Sequence, residues 1–274
     1  MKEYAIKASH VSKKFDNVKI LNDLNFEVVQ NTKLAILGHN GSGKSSLLKM
    51  IAGIYAPSSG EIHTFGKKIG YVPEHFPEHI RFKLEEYLLH IGTIGGEHPK
   101  SVQKKIDYYS TLFQLEPHMN TLLKHCSKGT KQKAGLIQAI INDCDILLLD
   151  EPLTGLDDDS KKAFLQMIQE KERDLTLIFT AHEQETVDLL AEEQLVLENG
   201  KMIKFEAITE KTRMKIITVK MSPKLQVEEL KVYGKIESEQ RNIIDLLVRE
   251  RECDDCLLYL LQHDCSIIEV KEKK

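Results

Sequence analysis

The sequence predicts an α/β protein: a mixed sheet core with a helical insert, followed by a small α+β appendage. Three observations carry that expectation. The first is Gly38-His39-Asn40-Gly41-Ser42-Gly43-Lys44-Ser45, a G-x-x-x-x-G-K-S phosphate-binding loop between an apolar run, Leu34 to Leu37, and a segment with Leu47, Leu48 and Ile51 at helical spacing. The second is a pair of continuous apolar runs, Ile146 to Leu149 and Leu175 to Ala181, each ending in ionisable side chains (Asp150 and Glu151, then His182). Runs of this kind suit strands of a parallel sheet buried on both faces. The third is a change of character after about Glu206, where short alternating segments replace the long apolar runs.

Taken in order, Tyr4 to Ala8 alternates as a half-buried strand does, and Phe15 follows in the turn after Val11 to Lys14. Asn25 to Val29 reads as a second strand, ahead of the one that feeds the glycine-rich loop. Pro57-Ser58-Ser59-Gly60 is a turn cluster, and Glu61 to Phe65 and Ile69 to Val72 read as short strands. From Lys83 to Leu123 the pattern is helical, broken at Gly95-Gly96 and Pro117. A further helix begins near Lys131, with Leu136, Ile137, Ile140 and Ile141 on one face. Ser160 to Arg173 reads as a crossover helix with Ser160 as its cap. Beyond Glu206, Met214 to Met221, Lys235 to Glu239, Ile243 to Val248 and Ser266 to Val270 read as strands, and Cys253 to Gln262 as a helix.

Composition bounds the function. Hydrophobic residues at 41% and charged residues at 29% describe an ordinary globular chain. A net charge of -4 gives no support for nucleic-acid binding by charge. No apolar run approaches bilayer length, and Met1 to Phe15 lacks the apolar centre of a signal peptide, so the expectation is a cytoplasmic chain. The five cysteines, Cys126, Cys144, Cys253, Cys256 and Cys265, fit reduced thiols. Cys253-Asp-Asp-Cys256 has zinc-like spacing, but Leu257 to Leu261 continue it as an apolar helix, which favours packing. His182-Glu183 opens like H-E-x-x-H, yet Thr186 stands where the second histidine is needed, and His75 and His79 read as solvated loop residues.

The loop's chemistry follows from its residue types. The glycines let successive N–H groups turn inward onto phosphate oxygens, and the next helix adds its own free N–H groups. Lys44 is placed for the β- and γ-phosphates and Ser45 for Mg2+, with His39, Asn40, Ser42 and Ser46 around them. Asp150 suits the same ion. Glu151, one residue on, suits the attacking water. The expected ligands are ATP and Mg2+.

Further motifs make the chain resemble the ABC-type ATPases. Cys126-Ser127-Lys128-Gly129-Thr130-Lys131-Gln132 is similar to their L-S-G-G-Q signature, and Thr154-Gly155-Leu156-Asp157 to their D-loop. His182 resembles the switch histidine, Phe15 the aromatic that stacks on adenine, and Glu74 falls where the Q-loop glutamine sits. The resemblance covers about Tyr4 to Glu206 and implies a P-loop NTPase cassette over 1–206, with a helical subdomain at about 76–140 and a separate domain at 207–274. It also implies a head-to-tail pair, homodimer or heterodimer, in which Ser127, Gly129 and Thr130 of one copy reach the ATP held by the other. Glu151, His182 and Glu74 then serve catalysis, and Ser45, Asp150 and Glu74 the metal. Lys128, Thr130 and Glu74 depart from the common pattern. Pro-Glu and Ser-Lys-Gly forms resemble export-type subunits that sit on the inner face of the membrane against a separate permease. The rival readings are a soluble ABC ATPase acting on ribosomes or nucleic acid, and a regulatory, poorly catalytic binder. One cassette, no sustained heptads, and intact Lys44, Asp150, Glu151 and His182 weigh against them.

Overall fold

A computed structural model describes residues 3–171, 175–182, 184–208, 214–222, 225, 227–230, 232–240 and 242–272. The chain divides into two compact units, Met1–Ile208 and Thr209–Lys274.

The first unit opens with an antiparallel hairpin, β1 (Tyr4–Phe15) and β2 (Val18–Val29). Asp16 and Asn17 turn it with φ of 42° and 68°, the left-handed pair a two-residue hairpin loop needs. Phe15 is therefore the last residue of β1, paired with Val18, and not part of a turn. β3 (Lys33–Leu37) runs into the glycine-rich loop and α1 (Lys44–Ile51). β4 (Ser59–His63) joins β1, completing a three-stranded sheet in the order β2-β1-β4.

β5 (Ile69–Val72) leads into the helical insert: α2 (Leu84–Ile94), α3 (Pro99–Leu112), two short 3-10 turns, and α4 (Lys128–Ile140). α3 starts on Pro99, whose missing N–H costs nothing in a first turn. α4 begins one turn earlier than the apolar face suggests, because the Ser127 hydroxyl accepts the Thr130 N–H at 3.1 Å and caps it. β6 (Ile146–Leu149), α5 (Asp158–Glu170), β7 (Thr176–Thr180), α6 (Gln184–Leu190), β8 (Glu193–Glu198) and β9 (Lys201–Ala207) finish the unit. Asp157, not Ser160, caps α5: its Oδ1 accepts the Ser160 N–H at 2.8 Å, three residues on. Arg173, the expected end of that helix, lies outside the described residues.

The six-stranded sheet runs β5-β6-β7-β3-β8-β9, parallel except for the β8–β9 pair. Its central strands are buried on both faces. Leu147 and Leu149 of β6 join the core under the helical insert, with Leu88, Ile106, Phe113, Ile137 and Phe164. Ile146 and Leu148 face the other core, with Leu21, Val28, Leu47 and Ile51. Gly70 on β5 allows α4 to press onto the sheet, since a Cβ there would stand 2.1 Å from the Ala139 carbonyl oxygen.

The second unit is β10 (Met214–Lys220), α7 (Val227–Leu230), β11 (Gly234–Gln240), β12 (Ile243–Arg249), α8 (Glu250–Gln262) and β13 (Ser266–Glu272). All its strand pairs are antiparallel, in the order β11-β12-β10-β13, a β-α-β-β-α-β arrangement. Cys253, Cys256 and Leu260 of α8 pack on Ile217, Val219, Ile244, Leu246 and Val248. The thiols are core residues: burial pushes Cys256 up to about 12, and among the described residues no cluster of metal-ligating side chains forms.

Two substitutions probe these cores. Gly70→Ala is expected to cost about 1–3 kcal/mol by overpacking, seen as a lowered denaturant midpoint. Leu260→Ala is expected to cost the second unit about 2–5 kcal/mol through a cavity, read as loss of amide-exchange protection in β10 and β12.

Candidate active site

The parallel strands deliver their carboxyl ends to one edge of the sheet, the place where ligands gather in such folds. Gly38 follows β3, Asp150 and Glu151 follow β6, His182 follows β7, and Glu74 follows β5. A cavity of about 550 Å³ opens there, lined by Ile20, Asn40, Gly41, Gly43, Lys44, Ser45, Ser46, Glu74, Glu151 and His182.

The loop's backbone explains its glycines. Gly43 has φ of 105°, and a Cβ on it would stand 2.5 Å from Leu21 Cδ2. Gly38 packs so closely that a Cβ would lie 2.3 Å from the Leu197 carbonyl oxygen. Lys44 Nζ donates to the carbonyls of Gly38 at 2.8 Å and His39 at 3.2 Å, which arches the chain around its ammonium. Burial holds that ammonium below the ordinary lysine value, and the charges of Glu151, Asp150 and Glu74 pull it partly back. An anion entering the cavity strengthens the same pull. His39 turns aside, its Nδ1 2.8 Å from the Asn40 carbonyl oxygen, and the buried Ser42 hydroxyl has no hydrogen-bond partner among the described residues.

Opposite the loop, Glu151 Oε1 stands 2.6 Å from His182 Nε2. Glu151 has φ of 54°, a left-handed conformation costing about 1–2 kcal/mol for a non-glycine residue. Its N–H donates to Thr180 Oγ1 at 2.9 Å, and Thr180 Oγ1 in turn donates to Asp150 Oδ1 at 2.8 Å. Asp150 is buried beneath the cavity wall, within electrostatic reach of Lys44. Glu74 is half exposed, with His75 Nδ1 at 3.6 Å. The donors available to a cation are thus the Ser45 hydroxyl and the Asp150 and Glu74 carboxylates. All are oxygens, the kind a hard divalent ion takes.

Other expected residues lie elsewhere. Ser127 is occupied in capping α4, and Thr130 is buried with its hydroxyl 2.9 Å from the Ser127 hydroxyl. Gly129 lies against Gly155, whose carbonyl oxygen would be 3.4 Å from a Cβ on Gly129. None of the three lines the cavity. Phe15 sits outside its lining too, edge-on to Tyr55 at 5.3 Å with Lys13 Nζ 4.8 Å from its ring centre. Sequence reasoning passed over Ile20, which the hairpin carries to the cavity, and Tyr71, a buried hydroxyl whose pKa is raised by burial and then by Asp150. No local spacing marks either. Thr186 lies at the edge of this region, while Glu183 is outside the described residues. No helix among the described residues is long and apolar enough to cross a membrane.

Known proteins are similar to this chain in sequence and in fold. The ABC transporter family model matches residues 21–154. An uncharacterised ABC transporter ATP-binding protein of Methanocaldococcus jannaschii is 33% identical, over 74% of this chain and 78% of its own. The Nod factor export ATP-binding protein I of Rhizobium johnstonii is 31% identical, over 73% of this chain and 68% of its own. A solved ATP-binding subunit of an ABC transporter superposes with a TM-score of 0.70 at 24% identity, covering 74% of this chain and 90% of its own, and so shares the fold. The chain belongs to the family of ABC transporter ATP-binding proteins.

Proposed function

We propose that this subunit hydrolyses ATP with Glu151 as the group that orients and deprotonates the attacking water, and that the work drives export through a separate membrane permease. The observation that carries the reading is the Glu151–His182 contact at 2.6 Å across the cavity from Lys44 and Ser45. A general base must lie within hydrogen-bond reach of both its proton and the group that orients it. His182 supplies that orientation.

Lys44 and the backbone N–H groups of the loop neutralise and hold the phosphates, and the N-terminus of α1 adds its dipole. Ser45, Asp150 and Glu74 would hold Mg2+, which supplies charge neutralisation on the phosphates when bound. Glu74 brings a negative charge where the family's glutamine brings none, and a cation beside it would offset that charge. Ser127, Gly129 and Thr130 lie away from this cavity, which supports a head-to-tail pair in which a second copy closes the site over ATP. The hydroxyl of Ser127 and the free N–H groups opening α4 suit a γ-phosphate presented by that copy. Phe15 then serves the adenine. The Pro73-Glu74 and Ser127-Lys128-Gly129 forms, together with the name of the Rhizobium relative, favour export. The helical insert is the surface for the permease, which places the pair at the inner face of the membrane.

Glu151→Gln is expected to keep ATP binding, accumulate as the ATP-bound dimer in gel filtration and lose hydrolysis by about 100-fold or more. Near-normal turnover in that variant contradicts the assignment. Glu74→Gln is expected to change the rate by less than about tenfold, since an amide oxygen still ligates Mg2+; complete loss would show that the carboxylate itself is required. Pull-down from native membranes with Glu151→Gln and ATP is expected to recover a multi-span membrane protein. Ribosomes or DNA in its place would leave the ATPase chemistry standing and overturn the transport role.

A further inference from the structure

We infer that Thr180 is a positioning residue of the hydrolytic step, one hydroxyl that fixes the metal-side carboxylate of Asp150 and the backbone of Glu151 together. The inference rests on the hydrolytic reading given above. Thr180 closes β7 and is fully buried, at 0% exposure. A threonine hydroxyl has one proton to give and two lone pairs to receive. Here the roles are unambiguous, because one neighbour is a carboxylate and the other an N–H. Oγ1 accepts from the Glu151 N–H at 2.9 Å and donates to Asp150 Oδ1 at 2.8 Å.

Both contacts have consequences at the cavity. The donated bond fixes the rotation of the Asp150 carboxylate and uses one oxygen, so the other remains for the ion. The accepted bond ties down the amide of a residue held at φ of 54°, a conformation that the rest of the local chain does not favour. That amide sets where the Glu151 side chain leaves the backbone, and so the 2.6 Å contact with His182. Position 180 also faces a second hollow of about 210 Å³, lined by Glu151, Thr154, Gly155, His182 and Thr186 among others. Loss of the hydroxyl therefore frees Glu151 to turn toward that hollow and away from the nucleotide. Partners that orient metal ligands in this way typically account for about 10–100-fold in activity or metal affinity.

The test is Thr180→Val, which keeps the shape and deletes the hydroxyl, beside Thr180→Ser, which restores it, in the full chain. Nucleotide affinity is measured without Mg2+ by fluorescence of a labelled ATP, and hydrolysis is titrated with Mg2+. Thr180→Val is expected to lower kcat by about 10–100-fold and to raise the Mg2+ concentration for half-maximal rate, with metal-free affinity unchanged and Thr180→Ser within about threefold of the parent. Parental kcat and Mg2+ dependence in Thr180→Val would overturn the positioning role while leaving the hydrolytic reading intact. Equal loss in Thr180→Ser would overturn it as well, since a merely structural site accounts for that. Should Thr180→Val not fold, Thr180→Ala replaces it with the same criteria. A parent chain without ATP hydrolysis would overturn the hydrolytic reading and this inference with it.

Discussion

The register of three parallel strands is the constraint on which this site depends. Ile36 of β3 pairs with Thr180 of β7, and Leu149 of β6 pairs with Phe179, so the three strands end at nearly the same level. The glycine-rich loop, the Asp150-Glu151 pair and His182 emerge side by side for that reason alone. A slip of one residue in β6 would send Asp150 to the other face of the sheet. It would also exchange the sets that Leu147 and Leu149, and Ile146 and Leu148, bury in two different cores. Hydrophobic burial thus guards the register, and the register places the chemistry.

The same physics decides what was legible in the sequence. β6 and β7 were readable because strands buried on both faces must be apolar at every position, and Ile146 to Leu149 is fully buried. β8 and β9 were passed over: β8 is buried at only Leu195 and Leu197, and β9 at no position. Helix starts went astray where two capping residues compete. Ser160 looks like a cap, yet Asp157 stands three residues earlier with a carboxylate that can reach the Ser160 N–H, and the helix begins there. The loop residues Asn40, Gly41 and Gly43 to Ser46 and the partners Glu74, Glu151 and His182 were all named from motif order, and the fold brings them to one cavity, while Ser42 is buried outside its lining. Ile20 and Thr180 were not nameable in that way. Each acts through a neighbour distant in the chain, and an isoleucine or a threonine in a strand is ordinary until the sheet is assembled.

Charge explains how the departures from the common motifs coexist with the site. Three carboxylates, Glu74, Asp150 and Glu151, act on one buried ammonium at Lys44. The same three carboxylates oppose any anionic ligand that Lys44 attracts, and a cation beside them would offset that opposition. Lys128 sits at the first turn of α4, where a positive charge opposes the helix dipole. Its aliphatic end passes beside Gly155, within 3.7 Å of where a Cβ would stand. An anion approaching the start of α4 turns that unfavourable placement into a favourable one. Both departures thus change the charge that an approaching anion meets, Glu74 at the cavity and Lys128 at the start of α4.

The segment that carries Glu74 is mechanically tied to the helical insert. Tyr71, at its start, accepts a 3.4 Å hydrogen bond from Gln138 of α4 on its carbonyl oxygen, and the Tyr87 hydroxyl of α2 bonds the same glutamine. Phe76, at its end, is buried edge-on to Tyr87 at 5.7 Å and lies against Gly135 of α4, where a Cβ would meet its ring at 3.3 Å. Two points five residues apart are therefore clamped to the same pair of helices, with Glu74 between them. A clamped segment cannot absorb a shift of its middle by bending freely, because packed interiors move in discrete steps and not as soft matter. A displacement of Glu74 has to be shared by α2 and α4. The first is the front of the helical insert and the second is capped by Ser127, so one carboxylate at the cavity is mechanically linked to both helices.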